Sequence, residues 1–219
     1  MNRFYFLIIG ALLSLVSCKE GITLRYEEGY IRIDGTIDEP AWSAHRLFRG
    51  MVSPWVQDRT DCTEFYACIH NRKFCFAFSV VDTTLTVHAY AGEKSVETED
   101  RVELFFDRSG GRMEHYYCIE IDPAGRILDY EAKYYRDFTP QWNFQTLEVM
   151  ASRNQVGYMV EGLIDLDELG RLGLGNPFRL GVFRADFDST GSVVWFTYAD
   201  PHSSAPDFHI PASLVSCRY

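Results

Sequence analysis

Five carboxylates fall on short stretches with the composition of neighbouring strands: Glu103, Glu120, Asp122, Asp129 and Glu131. Two carboxyl groups held about 5–9.5 Å apart across a cleft can hydrolyse a glycosidic bond, one as acid and the other as base or nucleophile. The same groups on a rigid sheet can instead accept hydrogen bonds from a bound ligand. The chain contains no HExxH, GxSxG or P-loop motif, so no recognised catalytic frame surrounds these carboxylates. Binding is therefore the first expectation and hydrolysis an alternative.

The stretch that must position them is Glu99–Asp107 with its partner Tyr116–Gly125. Both alternate apolar and polar residues, the period-2 signature of half-buried strands. Val102, Leu104 and Phe106 point one way, and Arg101, Glu103, Phe105 and Asp107 the other. Arg108-Ser-Gly-Gly-Arg112 supplies turn residues between them, and Asp122-Pro-Ala-Gly125 closes the second run as a β-turn. Glu103 can alternatively pair with Arg101 or Arg126.

The best-defined hairpin spans Thr63–Asp82. A turn within His70-Asn-Arg-Lys73 sets Ile69 opposite Phe74, Ala67 opposite Phe76 and Phe65 opposite Phe78, which makes one face continuously apolar. That register sets Cys68 opposite Cys75 on the other face. They can form a cross-strand disulfide in an oxidising compartment, or remain two reduced, packed thiols. Ile22–Tyr26 and Tyr30–Ile33 read as short strands, and Asp38 as the N-cap of a short helix whose Trp42 plugs one end of the core. Polar, aperiodic Thr83–Thr98 reads as a long loop over the sheet. Ile127–Tyr135, Phe144–Ala151, Val156–Ile164, Phe178–Asp188 and Val193–Tyr198 read as further strands. Asp165–Leu169 is at most a short helix, and Arg136–Trp142 an unusually aromatic loop. The expectation is an all-β, two-sheet antiparallel sandwich, jelly-roll-like, with one or two short helices.

The 219 residues suit one domain, and 15% aromatic residues suit β structure. A net charge of −10 argues against nucleic acid as a partner and fits a neutral or cationic ligand. Met1-Asn-Arg3 and the apolar run Phe4–Val16, too short for a typical spanning helix, read as a signal. Leu15-Val-Ser-Cys18 resembles the lipobox of bacterial lipoproteins. That resemblance implies a signal peptide over 1–17, a lipid on Cys18 with a tether over 18–21, and a sandwich over 22–219. Lys19 after the cysteine points to the outer membrane, on its periplasmic face or at the cell surface. Losing Arg3 with the signal takes the charge to −11 and leaves five cysteines besides the lipid-bearing Cys18, at least one of them unpaired within the chain.

Several landmarks in order resemble the family 9 carbohydrate-binding modules: Ile33–Trp42, Phe74–Asp82, Glu99–Asp107, Tyr116–Gly125, Gly157–Glu161, Phe183–Ala185, Trp195 with Asp200-Pro201, and Pro206–Pro211. The resemblance implies a sugar-binding sandwich with bound calcium in some members, although no EF-hand spacing places an ion here. Its best-understood type grips a glycan's reducing end between two Trp rings. The binding carboxylate matches Glu103, but the Trp positions fall near Glu97 and Phe208, and an Arg and an amide are replaced by Glu120 and Asp122. The clamp is thus not carried over. The resemblance leaves Trp55, Trp142 or Phe208 as the sugar platform, with Glu103, Glu120 and Arg184 as polar partners. It implies a lipid-anchored glycan or oligosaccharide binder acting beside glycan-degrading enzymes or an uptake system. Related sandwiches hold b-type haem, for which Met113, His115 and Met159 are candidate ligands.

Overall fold

The computed structural model describes residues 21–57, 59 and 61–219; the signal and Cys18 lie outside them. In chain order the strands are β1 (Ile22–Thr23), β2 (Tyr26–Glu27), β3 (Arg46–Arg49), β4 (Glu64–His70), β5 (Lys73–Val81), β6 (Arg101–Arg108) and β7 (Tyr116–Ile121). They continue as β8 (Ile127–Lys133), β9 (Asp137–Thr139), β10 (Glu148–Arg153), β11 (Gly157–Asp165), β12 (Phe178–Phe187), β13 (Val193–Thr197) and β14 (Val215–Arg218). Two helices of one to two turns, α1 (Pro40–Ala44) and α2 (Leu166–Arg171), complete the regular α structure among the described residues.

The strands form an eight-stranded sheet ordered β1-β14-β12-β6-β7-β8-β9, with β13 also on β12, and a six-stranded sheet ordered β10-β11-β5-β4-β2, with β3 also on β4. This is the expected sandwich, with one correction. The sheets are mixed, because β1 joins β14 and β2 joins β4 in parallel. The stretch expected to be one strand at Ile22–Tyr26 crosses from one sheet to the other, and Tyr30–Ile33 is not a strand. Phe65, Phe74, Phe76 and Phe78 meet Leu104, Phe106, Ile119 and Phe178 between the layers, and this dry contact is the main source of stability.

The β4–β5 hairpin has the expected register, including Cys68 opposite Cys75. Its two turn residues, Asn71 and Arg72, both have positive φ, 47° and 62°, as a two-residue turn matched to strand twist requires. Both cysteines are buried free thiols, so the disulfide is not formed. The neighbouring Cys75 thiol, followed by burial, holds the Cys68 thiol well above its usual range.

Trp42 is buried, but on the outer face of the six-stranded sheet with Tyr66, Cys68, Cys75 and Ala77 rather than at one end of the main core, and its indole donates to Glu161 Oε1 at 2.7 Å. The other oxygen of this buried carboxylate accepts the backbone N–H groups of Asp34, Gly35 and Thr36 at 3.0, 2.7 and 3.0 Å. Gly35 has φ +86°, and a Cβ there would come within 2.9 Å of the Ala151 carbonyl carbon, so the Ile33-Asp-Gly-Thr stretch is shaped by one carboxylate. Glu39, not Asp38, is the N-cap of α1, with Pro40 following it.

Strands β6 and β7 depart from expectation in one respect. Every residue from Arg101 to Asp107 and from Tyr116 to Ile121 is buried, so these strands are covered on both faces. A short 3₁₀ turn at Glu93–Thr98, together with 136–140 and 206–209, lies over the outer face of the eight-stranded sheet. Val96, Phe105, Tyr116, Tyr130, Phe183 and Phe208 pack there as a second apolar cluster.

Candidate functional site

Within that outer layer lies a pocket of about 470 Å³. Alternation along β6 and β7 dictates its floor: Glu103 and Glu120 are directly paired across the strands, and both face outward, opposite the main core. Glu103 is only 2% exposed and Glu120 6%. Arg101, one pleat along from Glu103, places Nε 2.9 Å from Glu103 Oε1 and 2.7 Å from Glu120 Oε2. Neither approach has hydrogen-bond angles, and those buried atoms accept or donate no hydrogen bond. The contact is ionic rather than a fitted fork. From β8, Tyr130 donates its hydroxyl to Glu120 Oε1 at 2.9 Å. Burial raises the Glu103 carboxyl to about 8, with Arg101 opposing the rise and Glu120 adding to it.

Arg101 also reaches upward. Its Nη1 donates to the Glu97 carbonyl at 2.9 Å and the Glu99 carbonyl at 3.3 Å, which fastens the Glu93–Thr98 turn over the sheet. Its guanidinium carbon lies 5.2 Å from the Trp195 ring centroid, within cation–π range. Trp195 and the exposed Phe138 line the pocket as aromatic walls, with Phe208 between the sheet and the opening. Phe208 stacks on Phe183 at 4.0 Å with planes 10° apart. At the rim Arg136 pairs with Asp207 at 3.2 Å. Beneath it His209 Nδ1 shares a 2.9 Å hydrogen bond with the Tyr116 hydroxyl, and burial, helped by Arg136, lowers the His209 ring to about 3. His209 is thus neutral at ordinary pH.

Of the six expected sugar-site residues, Glu103, Glu120 and Phe208 line this pocket. Trp55 stands behind Phe208 at 5.9 Å and donates to the Ser203 carbonyl at 3.1 Å; it supports the wall without lining it. Trp142 is elsewhere, packed on Tyr117 and Phe144 at 4.9 and 4.8 Å, beside a separate hollow of about 330 Å³. Arg184 points to the opposite face of the sheet. It is 2% exposed and pairs with Asp61 and Asp82 at 2.8 and 2.6 Å.

Asp82, Asp100 and Asp186 offer carboxylate oxygens within 4.8 Å of one another, which bears on the calcium expectation. Arg184 already lies against Asp82 and Asp186, and the Asp100 oxygens accept the N–H groups of Thr86 and Phe187, both at 2.6 Å. The cluster is an arginine-centred network rather than a calcium cage of six to eight oxygens. Glu103 pairs with Arg101 and not Arg126, which instead meets Glu99 and Asp122. Asp122 is buried in its own turn, accepting from Ala124 and Arg126 N–H groups. The candidate haem ligands do not converge: Met113 is buried in the outer cluster, His115 is exposed and paired with Glu131, and Met159 is on the other sheet.

Sequence reasoning missed Trp195, Tyr130, Phe138 and Arg101 as pocket residues. Parity gave Arg101 and Tyr130 away, since both share a face with Glu103 or Glu120. Phe138 and Trp195 come from β9 and β13, strands of three and five residues that pair with their chain neighbours β8 and β12 and are too short for alternation to assign a face.

A sandwich with this outer pocket has the fold of the family 9 carbohydrate-binding modules. The solved structures it resembles include a Bacteroides uniformis protein to which carbohydrate binding has been ascribed, with TM-score 0.70 and 14% identity over 91% of this chain and 98% of that one. A family 9 module from Caldicellulosiruptor kristjanssonii in complex with cellotriose follows with TM-score 0.59 and 18% identity, over 90% and 92% of the two chains. The glucose complex of a module from the same organism gives 0.57 and 18%, over 90% and 94%. No family model matches the sequence, and no curated protein does.

Proposed function

We propose that this protein is a non-catalytic carbohydrate-binding protein, with its site in the pocket over Glu103 and Glu120. The observation that carries this reading is an aromatic-walled pocket floored by buried hydrogen-bonding groups on two rigid strands. Trp195 and Phe138 offer surfaces for the apolar C–H faces of a sugar ring, while the floor offers acceptors for hydroxyls. Similar solved structures that hold glucose and cellotriose support it. Arg101, wedged against both carboxylates, favours binding over hydrolysis. A hydrolytic pair needs one carboxyl free to give up a proton and the other free to attack or activate water.

The test is calorimetric titration against a panel of mono- and oligosaccharides, repeated with Trp195→Ala. Binding of at least one sugar, weakened about tenfold or more by losing the aromatic wall, is the expected result. Flat titrations across the panel overturn the reading. The lipobox-like Leu15-Val-Ser-Cys18 supports a finer proposal: a lipid on Cys18 holds the sandwich at the outer membrane, where it captures glycans for a degradation or uptake system. Cys18→Ser should release the protein from the membrane fraction; retention there rejects the anchor.

A further inference from the structure

The pocket's charge says which kind of sugar it suits, an inference that rests on the carbohydrate reading. Two carboxylates, Glu103 and Glu120, share the single guanidinium of Arg101 in the floor, so ionising both leaves one negative charge without a partner. Although Glu103 is almost completely buried, its Oε1 accepts no hydrogen bond among the described residues and has only the ionic contact with Arg101. At the rim Arg136 is committed to Asp207. Glu93, Lys94 and Glu97, on the turn above, make no ion pair among the described residues. Carboxylates in the lining therefore outnumber cations by five to three.

We propose that the pocket selects sugars bearing a free amine, whose ammonium donates to Glu103 and supplies the missing positive charge, and that it refuses uronic acids. An ammonium brings three donors and no acceptor to a floor made of acceptors, and its hydrogen bonds to carboxylate are charge-assisted. A neutral hydroxyl makes the same contact more weakly. A ligand carboxylate sets like charges together in a partly dry site.

The test titrates wild-type protein with glucosamine, glucose and glucuronate, and with the corresponding galactose series, at low salt and about pH 7.5, where most of the sugar amine is still charged and Glu103, held by burial to about 8, readily gives up its proton to pair with it. The amine sugar is expected to bind at least about tenfold more tightly than its neutral parent, equivalent to about 1.4 kcal/mol, and the uronate most weakly. Added salt should narrow the spread, and Glu103→Gln should bring the amine-to-neutral ratio to about one. Equal affinity for amine and neutral sugars, or a uronate that binds as well as either, overturns charge selection and leaves sugar binding standing. Absence of binding by any sugar, neutral oligosaccharides included, overturns the proposed function and this inference with it.

Discussion

Replacing Glu103 with glutamine removes a floor carboxyl whose ionisation the fold resists, and the effect on stability follows from linkage. The unfolded chain gives up this proton near 4.5, whereas burial holds it to about 8 in the folded protein. Below the lower value both states are protonated and the group costs nothing. Between the two values the unfolded chain has released the proton and the folded chain has not, so stability falls as pH rises. Above about 8 the full cost is present. A difference of that size corresponds to a ceiling of about 5 kcal/mol, and relaxation of Arg101 and entering water reduce this to about half. Glutamine has no proton to lose, so Glu103→Gln should gain about 2–3 kcal/mol relative to wild type between about pH 5 and pH 9. Asp100, raised by burial to about 6, acts with the same sign in both proteins and cancels in the difference. Urea unfolding of the two proteins across this range measures it directly. Parallel stability profiles would refute the buried, strained carboxyl.

Glu161→Leu strands Trp42 Nε1 and three backbone N–H groups that now meet one carboxylate. It should cost about 3 kcal/mol or more in denaturant unfolding, and a loss under 1 kcal/mol would show the loop finds other acceptors. Phe208→Ala removes the ring stacked on Phe183 and should both destabilise the fold by about 3 kcal/mol and weaken sugar binding, read by thermal unfolding and calorimetry. Trp142→Ala, by contrast, should leave sugar affinity within about twofold of wild type, because Trp142 packs on Tyr117 and Phe144 away from the pocket.

What the sequence disclosed was whatever depends on neighbours in the chain. Alternation alone put Glu103 and Phe105 on the face opposite Leu104, and the Asn71-Arg72 turn fixed every pairing from Phe65–Phe78 to His70–Lys73. The misplaced residues share a different property. Arg184 has the right chemistry for a sugar site, but one step of parity places it among Asp61, Asp82 and Asp186. Trp142 sits in a loop, where no period assigns a face. The cover over β6 and β7 was also hidden. Thr83–Thr98 is polar overall, and its one fully buried residue, Val96, is too little to display a period. Strands β3, β9 and β14 are three or four residues long, too short to display a period.

Arg101 joins two parts of the molecule that are usually independent. Its Nε lies against both floor carboxylates while its Nη1 holds the carbonyls of the overlying turn. The segment above the pocket therefore cannot detach without pulling the counter-ion out from between two buried acids. The two motions become one cooperative opening, and hydrogen exchange in Glu93–Thr98 should follow the stability of the floor rather than the fraying of a surface turn.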